Sequence, residues 1–140
     1  MEEFIKWFGI VLPLALGAVG SSIGCMIAGT SLAGALSRTK QGQGGLIAFS
    51  AAPSSQIIYG LVLMMVMKGS DTATPSQFLA IGILCGLAIM VSAIMQAKCC
   101  AAGIRATVEE PSIYGKCWIP IGVTEGFAVF AMVFGIVALS

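Results

Sequence analysis

One carboxylate stands out in this sequence because it lies deep inside an apolar stretch. Glu125 follows Lys116, the charged residue before it, by nine residues, and fifteen residues separate it from Ser140. At about 1.5 Å per residue in a helix, this spacing predicts a position roughly midway across a bilayer. A carboxylate at that depth costs roughly 3 kcal/mol or more. We therefore interpret Glu125 as a functional residue, with a protonated structural acid that hydrogen-bonds a neighbouring helix as the alternative.

Two glutamines in other apolar stretches fall at a depth similar to that of Glu125. Gln56 lies about twelve residues after the first polar connection, and Gln96 lies about nine residues before the third. A single glutamine in a membrane helix is more often a packing residue that hydrogen-bonds its neighbour. Two glutamines level with the carboxylate are better explained as parts of one site. Ser55 adds a hydroxyl there, and Tyr59 lies about one helical turn from Gln56 on the same face.

Pro53 is expected to add a backbone ligand to this cluster. Because proline has no N–H and distorts its helix, carbonyl oxygens near Phe49 to Ala52 can turn toward a ligand. The predicted cluster holds a carboxylate, two amide oxygens, a hydroxyl and a carbonyl. Oxygen ligands without His or Cys suit a hard cation better than zinc or copper. One formal negative charge balances a monovalent ion.

The composition of the chain indicates that lipid surrounds the elements that carry these residues. Of its 140 residues, 58% are hydrophobic and 9% are charged, whereas soluble domains carry about 25% charged residues. Each of four apolar stretches exceeds the roughly 20 residues that cross a bilayer. The stretches run from about Phe8 to Leu36, Leu46 to Met67, Phe78 to Ile104 and Cys117 to Leu139. The sequence therefore predicts an all-α membrane protein with four transmembrane helices.

The four segments are predicted to form two tandem parallel hairpins, about 8–67 and 77–139, within a single membrane domain that covers 1–140. Their connections are short, and an even number of crossings separates the two starts. The halves also share motifs. Pro53–Gln56 corresponds to Pro120–Glu125 in the second segment of each half, and Ser21–Gly24 resembles Ser92–Met95 in the first. Such internal symmetry is common among membrane transport proteins.

The distribution of basic residues predicts which way the hairpins point. The connections Ser37–Gly44 and Arg105–Lys116 hold most of the Lys and Arg residues, which places them in the cytoplasm and both termini outside. Segments one and three are rich in Gly, Ala and Ser. Small residues at four-residue spacing let helix backbones approach closely. This pattern favours a crowded position, such as the inner wall of a narrow ring, although packing within one chain is an alternative.

Several classes of function are disfavoured by the sequence. The net charge of +1 gives no basic face for a nucleic acid. There is no His and no phosphate-binding loop, so the chain is not expected to be an enzyme by itself. The five cysteines contain no CxxC pair and are interpreted as small, buried, reduced residues. A metal or redox role for the adjacent pair Cys99–Cys100 is the less favoured alternative.

Three runs of sequence carry a resemblance to a known family. They are Pro53 to Gly60, the run from Gln96 to Ile104, and the dipeptide Thr124–Glu125. With these motifs the sequence resembles the proteolipid (c or K) subunit of V-type and archaeal-type rotary ATPases, in its duplicated four-helix form. The resemblance covers essentially the whole chain, and the sodium-translocating members are the most similar.

The resemblance implies a set of ligands for the transported ion. The implied Na⁺ ligands are the Ala52 carbonyl, Ser55, Gln56, Gln96 and Glu125, with Tyr59 as the hydrogen-bond partner of the carboxylate. Ser55 departs from the family pattern, since a threonine is familiar at that position. Serine keeps the hydroxyl but loses the rotamer stiffness of a β-branched residue. Proton-translocating members generally lack the two glutamines, so the resemblance favours Na⁺, with H⁺ as the alternative cargo. No separate cofactor is implied.

The resemblance also implies partners and a working cycle. Copies of the chain would form a ring in the lipid of a prokaryotic plasma membrane. Na⁺ would enter through a half-channel in a stator subunit and neutralise Glu125, and a stator arginine would later displace the ion into a second half-channel. A central stalk would dock on the connections Ser37–Gly44 and Arg105–Lys116.

Two other classes of protein remain as alternatives on the sequence. The first is a small four-helix secondary transporter with a carboxylate-gated site, but such exporters usually carry the acid in the first helix among aromatic residues. The second is a purely structural four-helix protein, which would not explain why Glu125, Gln56 and Gln96 share one depth.

Overall fold

Helices make up nearly all of the described chain. The computed structural model describes residues 1–139, and no strand occurs among them. The helices are α1 (Glu2–Leu36), α2 (Gln43–Ala51), α3 (Gln56–Lys68), α4 (Pro75–Glu109) and α5 (Tyr114–Val137), with 3-10 turns at Ala52–Ser54 and Pro111–Ile113. Four spans are long and apolar enough to cross a membrane: Glu2–Leu36, Gln43–Lys68, Pro75–Glu109 and Pro111–Val137. The prediction of four transmembrane helices is confirmed.

The centre of the bundle is the contact between α1 and α4, the first helices of the two hairpins. This contact is the most extensive in the structure, while α3 packs mainly on α1 and α5 mainly on α4. Gly9 lies beside Phe78, and Gly20 lies beside Met90, so α1 and α4 run in the same direction. The two hairpins are therefore parallel, as the sequence predicts. The contact between α3 and α5 brings the second helices of both hairpins together.

Glycine allows α1 and α4 to meet backbone to backbone. A Cβ atom on Gly20 would lie 2.7 Å from the backbone of Met90, and one on Gly82 would overlap the backbone of Gly9. Real side-chain atoms do not approach backbone this closely, so any larger residue at these positions would force the helices apart. Small residues at these α1–α4 contacts thus serve the packing of a single chain, whereas Gly29 and Gly34 of α1 have no atom close by.

A break interrupts the second span at the position expected from Pro53. The helix changes to a 3-10 turn over Ala52–Ser54, and the amide of Ser55 donates to the Ala52 carbonyl at 3.2 Å. Proline supplies no N–H to the helix and crowds the carbonyl four residues earlier. The predicted distortion is confirmed. Pro13 and Pro120, in contrast, lie inside continuous helices.

The helix α5 is the least buried of the four spans. Its buried residues are Ile121, Ala128 and Gly135, each seven residues from the next. Its opposite face exposes large apolar side chains, among them Phe127 and Phe134. A single narrow stripe therefore attaches α5 to the rest of the bundle.

The helix α4 extends beyond the apolar stretch that predicts it, at both ends. Thr74 and Gln77 form a capping box, in which the Gln77 amide donates to Thr74 Oγ1 and the Thr74 amide donates to Gln77 Oε1, so α4 begins at Pro75. At its other end α4 continues to Glu109. In the next connection, hydrogen bonds from Ser112 lower the pKa of the exposed Glu110 carboxyl.

Candidate functional site

Glu125 lies half-buried in α5 with a hydrogen-bond donor on each carboxylate oxygen. The Tyr59 hydroxyl of α3 donates to Oε1 at 2.7 Å, and Gln96 Nε2 of α4 lies 3.4 Å from Oε2. A carboxylate with two donors can act as an acceptor in its ionised form. Residues from three helices therefore meet at Glu125, and the predicted Tyr59 contact is present in the structure.

Both glutamines are fully buried and are linked to each other. Gln56 Nε2 donates to Gln96 Oε1 at 2.8 Å, and Gln96 Nε2 donates to the Ile121 carbonyl at 3.1 Å. The amide of Gln96 thus joins the hairpin-one glutamine to the α5 segment that carries Glu125. Gln56 and Gln96, which the sequence predicts at the depth of Glu125, therefore belong to one hydrogen-bonded network with the carboxylate.

The helix break positions the two remaining oxygens that the sequence predicts for the site, the Ser55 hydroxyl and the Ala52 carbonyl. Ser55 Oγ lies 3.1 Å from the Ala52 carbonyl and 3.3 Å from Gln56 Oε1, and these two acceptors share its one hydroxyl hydrogen. The Ala52 carbonyl also accepts the Ser55 amide within the 3-10 turn, so the Ser55 hydroxyl is its second donor. All six residues singled out by the sequence are therefore connected by hydrogen bonds, from Ala52 through Ser55, Gln56 and Gln96 to Glu125 and Tyr59.

Two groups of the site are missed by reasoning from the sequence. One is the Ile121 carbonyl, which accepts from both Gln96 Nε2 and Thr124 Oγ1. The other is Thr124, whose hydroxyl also lies 2.9 Å from the Pro120 carbonyl. Threonine four residues after an exposed carbonyl commonly makes this bond. The spacing of Pro120 and Thr124 was the available signal.

The polar side chains of this network are hydrogen-bonded throughout. In the described part of the chain, one buried side-chain oxygen or nitrogen has no partner, and it is Thr107 Oγ1, which lies outside the network. Buried amides keep their energetic advantage only when they are paired. The network presents one formal charge, on Glu125, surrounded by neutral oxygen-bearing groups. Such a set can hold a monovalent cation or a proton.

The cysteines take no part in these hydrogen bonds. All five are free thiols, of which Cys100 is buried and the other four are partly buried. The sequence predicts buried, reduced residues, and the burial holds fully for Cys100 alone.

Comparison with known sequences places the chain in a family. The family of the ATP synthase C subunit matches twice, over residues 8–67 and 79–138. The chain is 33% identical over 132 residues to the A-type ATP synthase subunit K of Methanocaldococcus jannaschii, across 94% of this chain and 60% of that protein. It is 29% identical over 93 residues to the subunit K of Sulfolobus acidocaldarius, across 59% of this chain and 92% of that protein. The chain thus spans about 60% of the length of the first relative.

The two matched regions coincide with the two hairpins of the structure. The first covers α1 to α3, and the second covers α4 and α5. Each region therefore contributes one pair of transmembrane spans, and the site lies where their second helices meet. The chain belongs to the family of the ATP synthase C subunit, with two copies of the family's sequence in tandem.

Proposed function

We propose that this chain is a rotor-ring subunit of a rotary ATPase and that it carries the coupling cation on Glu125. Family membership and the naming of two relatives as A-type ATP synthase subunit K support the first part. The second part rests on one observation, the hydrogen-bonded carboxylate of Glu125 within an apolar span. An ionisable group inside a membrane span is a functional residue by default.

We propose Na⁺ as the favoured cargo and H⁺ as the alternative. A proton needs only the carboxyl group of Glu125. Beside that group, however, lies the fully buried Gln96, with its Nε2 3.4 Å from Glu125 Oε2. Gln96 is hydrogen-bonded to the fully buried Gln56, which has a hydroxyl and a backbone carbonyl next to it. Hard cations prefer such oxygen ligands. The ligands proposed for Na⁺ are Glu125, Gln96, Gln56, Ser55 and the Ala52 carbonyl, with Tyr59 fixing the carboxylate.

The same site suggests how the side chains manage the charge. A cation in contact with Glu125 would neutralise its carboxylate, so the loaded site could face lipid without an isolated charge. The Tyr59 hydroxyl holds one carboxylate oxygen in place. The Gln96 amide can present either its oxygen or its nitrogen after a half-turn, so it can serve as a ligand or as a donor.

Partners follow from this role. Copies of the chain would assemble into a ring, and a stator subunit with two half-channels and an arginine would load and unload Glu125. The connections Ser37–Gly44 and Arg105–Lys116 lie at the same end of the bundle and expose basic side chains such as Arg38 and Lys116. A central stalk would bind at that end. Both termini would then lie outside the cytoplasm.

Carbodiimide labelling tests the proposal directly. Hydrophobic carbodiimides react with a protonated carboxyl group, and the other five acidic residues lie at helix ends or in connections. Labelling of Glu125 should fall as Na⁺ rises, because bound Na⁺ favours the ionised carboxylate. The Na⁺ protection should weaken in acid, where protons compete for the same oxygens. Glu125→Gln should abolish both labelling and transport.

Variants of the glutamines refine the same experiment. Gln56→Ala or Gln96→Ala should raise the Na⁺ needed for half-protection by about tenfold, which corresponds to about 1.4 kcal/mol of lost ligation. Gln43→Ala is the matched control, since Gln43 bonds the Thr39 carbonyl near the end of the bundle. If Na⁺ gives no protection at any pH, the site carries protons and the glutamines serve helix packing. If Glu125 is not labelled at all, its role as the carrier is wrong.

A further inference from the structure

Two buried serines occupy equivalent places in the two hairpins. Ser21 lies on α1 and Ser92 lies on α4, and each is the thirteenth residue after the start of its matched region. Their exposed fractions are 6% and 5%. Neither belongs to the network around Glu125, yet each faces the second helix of its own hairpin at the level of that network.

Ser21 binds the backbone next to Gln56. The Ile57 amide donates to Ser21 Oγ at 3.1 Å. Ile57 lies in the first turn of α3, directly after the helix break, where helix amides have no acceptor in their own helix. The serine oxygen therefore gives this partly buried N–H an acceptor on another helix. It also ties α3 to α1 one residue away from a proposed ligand.

Ser92 binds the backbone next to Glu125. Its hydroxyl donates to the Thr124 carbonyl at 2.6 Å. Ser92 also precedes Gln96 by four residues, so the two side chains share one face of α4. This face fixes α5 through Ser92 and contacts the carboxylate through Gln96. The distance between the Glu125 carboxylate and the Gln96 amide thus depends on where the serine holds the α5 backbone.

The weak attachment of α5 makes this hydrogen bond more important. Only a narrow stripe of α5 is buried, and the residue of that stripe nearest to Glu125 is Ala128, whose methyl group offers little packing area. Apolar contacts also allow sliding and rotation, whereas a hydrogen bond to one carbonyl fixes a position. Two hydrogen bonds from α4 to the α5 backbone lie near Glu125, from Ser92 to the Thr124 carbonyl and from Gln96 to the Ile121 carbonyl, and the Ser92 bond is the one adjacent to Glu125.

We propose that Ser92 and Ser21 are positioning residues that hold Glu125 and Gln56 in the geometry needed for cation binding. This inference rests on the proposed function of the site. Ser92 acts through the Thr124 carbonyl, and Ser21 acts through the Ile57 amide. Neither serine contacts the cation. The duplicated position thus serves both hairpins, although one serine accepts a hydrogen bond and the other donates one.

Cation protection of Glu125 measures the effect of removing each hydroxyl. Ser92→Ala deletes one oxygen atom and adds no volume, so the assembled protein should persist. The Na⁺ concentration that halves the carbodiimide labelling of Glu125 should rise about three- to tenfold. This is the range expected for the loss of one neutral hydrogen bond. Ser92→Thr keeps the hydroxyl and should restore protection to within about twofold of the unaltered chain.

The neighbouring serine provides a matched control. Ser22 is exposed on the same helix as Ser21, and its hydroxyl bonds the Val19 carbonyl of its own helix at 2.9 Å. Ser22→Ala should leave the protection curve unchanged. Ser21→Ala should shift it, since Gln56 would lose its backbone anchor. A shift of equal size in Ser22→Ala and Ser21→Ala would overturn the proposal.

An infrared measurement without Na⁺ separates this inference from the proposed cargo. In acid and without Na⁺, the protonated Glu125 carboxyl gives a carbonyl stretching band, which Glu125→Gln identifies by its loss. Ser92→Ala should shift or broaden this band, because the carboxyl meets Tyr59 and Gln96 in altered geometry. Ser92→Thr and Ser22→Ala should leave the band as it is.

The labelling and infrared measurements together distinguish an error in the proposed cargo from an error in the positioning role. If Na⁺ never protects Glu125 but Ser92→Ala alters the infrared band and Ser92→Thr restores it, the choice of Na⁺ is wrong and the positioning role stands. If Na⁺ protects Glu125 and Ser92→Ala changes neither the protection curve nor the band, the positioning role is wrong and the proposed function stands. Should Ser92→Ala not accumulate, Ser21→Ala decides the proposal by its protection curve against that of Ser22→Ala.

Discussion

The Tyr59 hydroxyl makes the shortest side-chain contact to the carboxylate, at 2.7 Å from Glu125 Oε1. Hydrogen bonds to a charged group contribute about 1.5 to 3 kcal/mol. Tyr59→Phe removes only this hydroxyl and should leave the helices packed. We expect the Na⁺ requirement for protection of Glu125 to rise by at least about tenfold, because the ionised carboxylate loses a donor. The carbodiimide protection curve measures this change.

The second tyrosine of the chain is the matched control for this variant. Tyr114 packs its ring against Phe49 and Trp118 at the basic end of the bundle. Tyr114→Phe should therefore leave the protection curve unchanged. Equal curves for Tyr59→Phe and the unaltered chain would show that the tyrosine does not stabilise the carboxylate.

At the residue scale, the sequence predicts side chains better than backbone groups. Gln56, Gln96 and Glu125 are conspicuous because each is polar within an apolar stretch. A serine is not conspicuous, since its hydroxyl can bond a carbonyl of its own helix, as Ser22 does. Nothing in the sequence distinguishes that case from Ser92, which bonds a different helix. The Ile121 carbonyl carries no sequence signal beyond the nearby proline.

At the scale of the helices, glycine at the α1–α4 contact gives a sharp test. A Cβ atom on Gly24 would lie 2.8 Å from the Pro53 side chain and 3.0 Å from the Ala93 carbonyl, all within one chain. Gly24→Leu should therefore disrupt packing inside the subunit and cost about 1 to 3 kcal/mol or more, as overpacking does. Folded yield and thermal unfolding in detergent measure the loss.

A second glycine on the same helix distinguishes the effect of close helix packing from the effect of helix propensity. A Cβ atom on Gly29 would meet no atom within 4 Å. Gly29→Ala should be neutral or slightly stabilising, because alanine favours helix more than glycine does. If Gly24→Leu folds and melts like the unaltered chain, the close α1–α4 contact is wrong.

Hydropathy predicts the number of membrane-spanning helices, but it does not predict where they begin or break. Apolar length predicts the four spans, because crossing a bilayer fixes a minimum number of apolar residues. It does not predict the start of α4, which depends on a polar capping box at Thr74 and Gln77. Nor does it show which proline breaks its helix. Pro53 does so, while Pro13 and Pro120 do not, and tertiary packing decides between these outcomes.

At the scale of the whole molecule, assembly separates the proposed role from a secondary transporter. The chain has a mass of 14.3 kDa. Native mass spectrometry in mild detergent should find one closed species of many copies, with a mass that is a multiple of this value. The exposed apolar faces of α4 and α5, with residues such as Leu84 and Phe127, leave surface for neighbours. A monomer or dimer alone would contradict the rotor role.

The orientation of the bundle is a separate prediction. A reporter inserted at Gly42, in the connection after α1, should lie in the cytoplasm. One inserted at Asp71, between α3 and α4, should lie outside, at the end of the bundle where α1 begins and α5 ends. Accessibility to a membrane-impermeant reagent in intact cells distinguishes the two sides. The reverse pattern would move the proposed stalk contact to the opposite end.

The seven-residue spacing of Ile121, Ala128 and Gly135 has a consequence for the shape of the bundle. A straight helix advances 3.6 residues per turn, so a stripe that repeats every 3.5 residues drifts by about 20° per heptad. Over the two heptads from Ile121 to Gly135 the stripe therefore turns by about 40° around α5. At its far end it faces two helices, since a Cβ atom on Gly135 would meet Cys85 of α4 and Leu63 of α3. The direction in which the Glu125 side chain points is tied to this stripe, because both belong to one continuous helix. One inserted residue between Ile121 and Gly135 would rotate the remainder of the helix by about 100° and turn the rest of the stripe away from its neighbours.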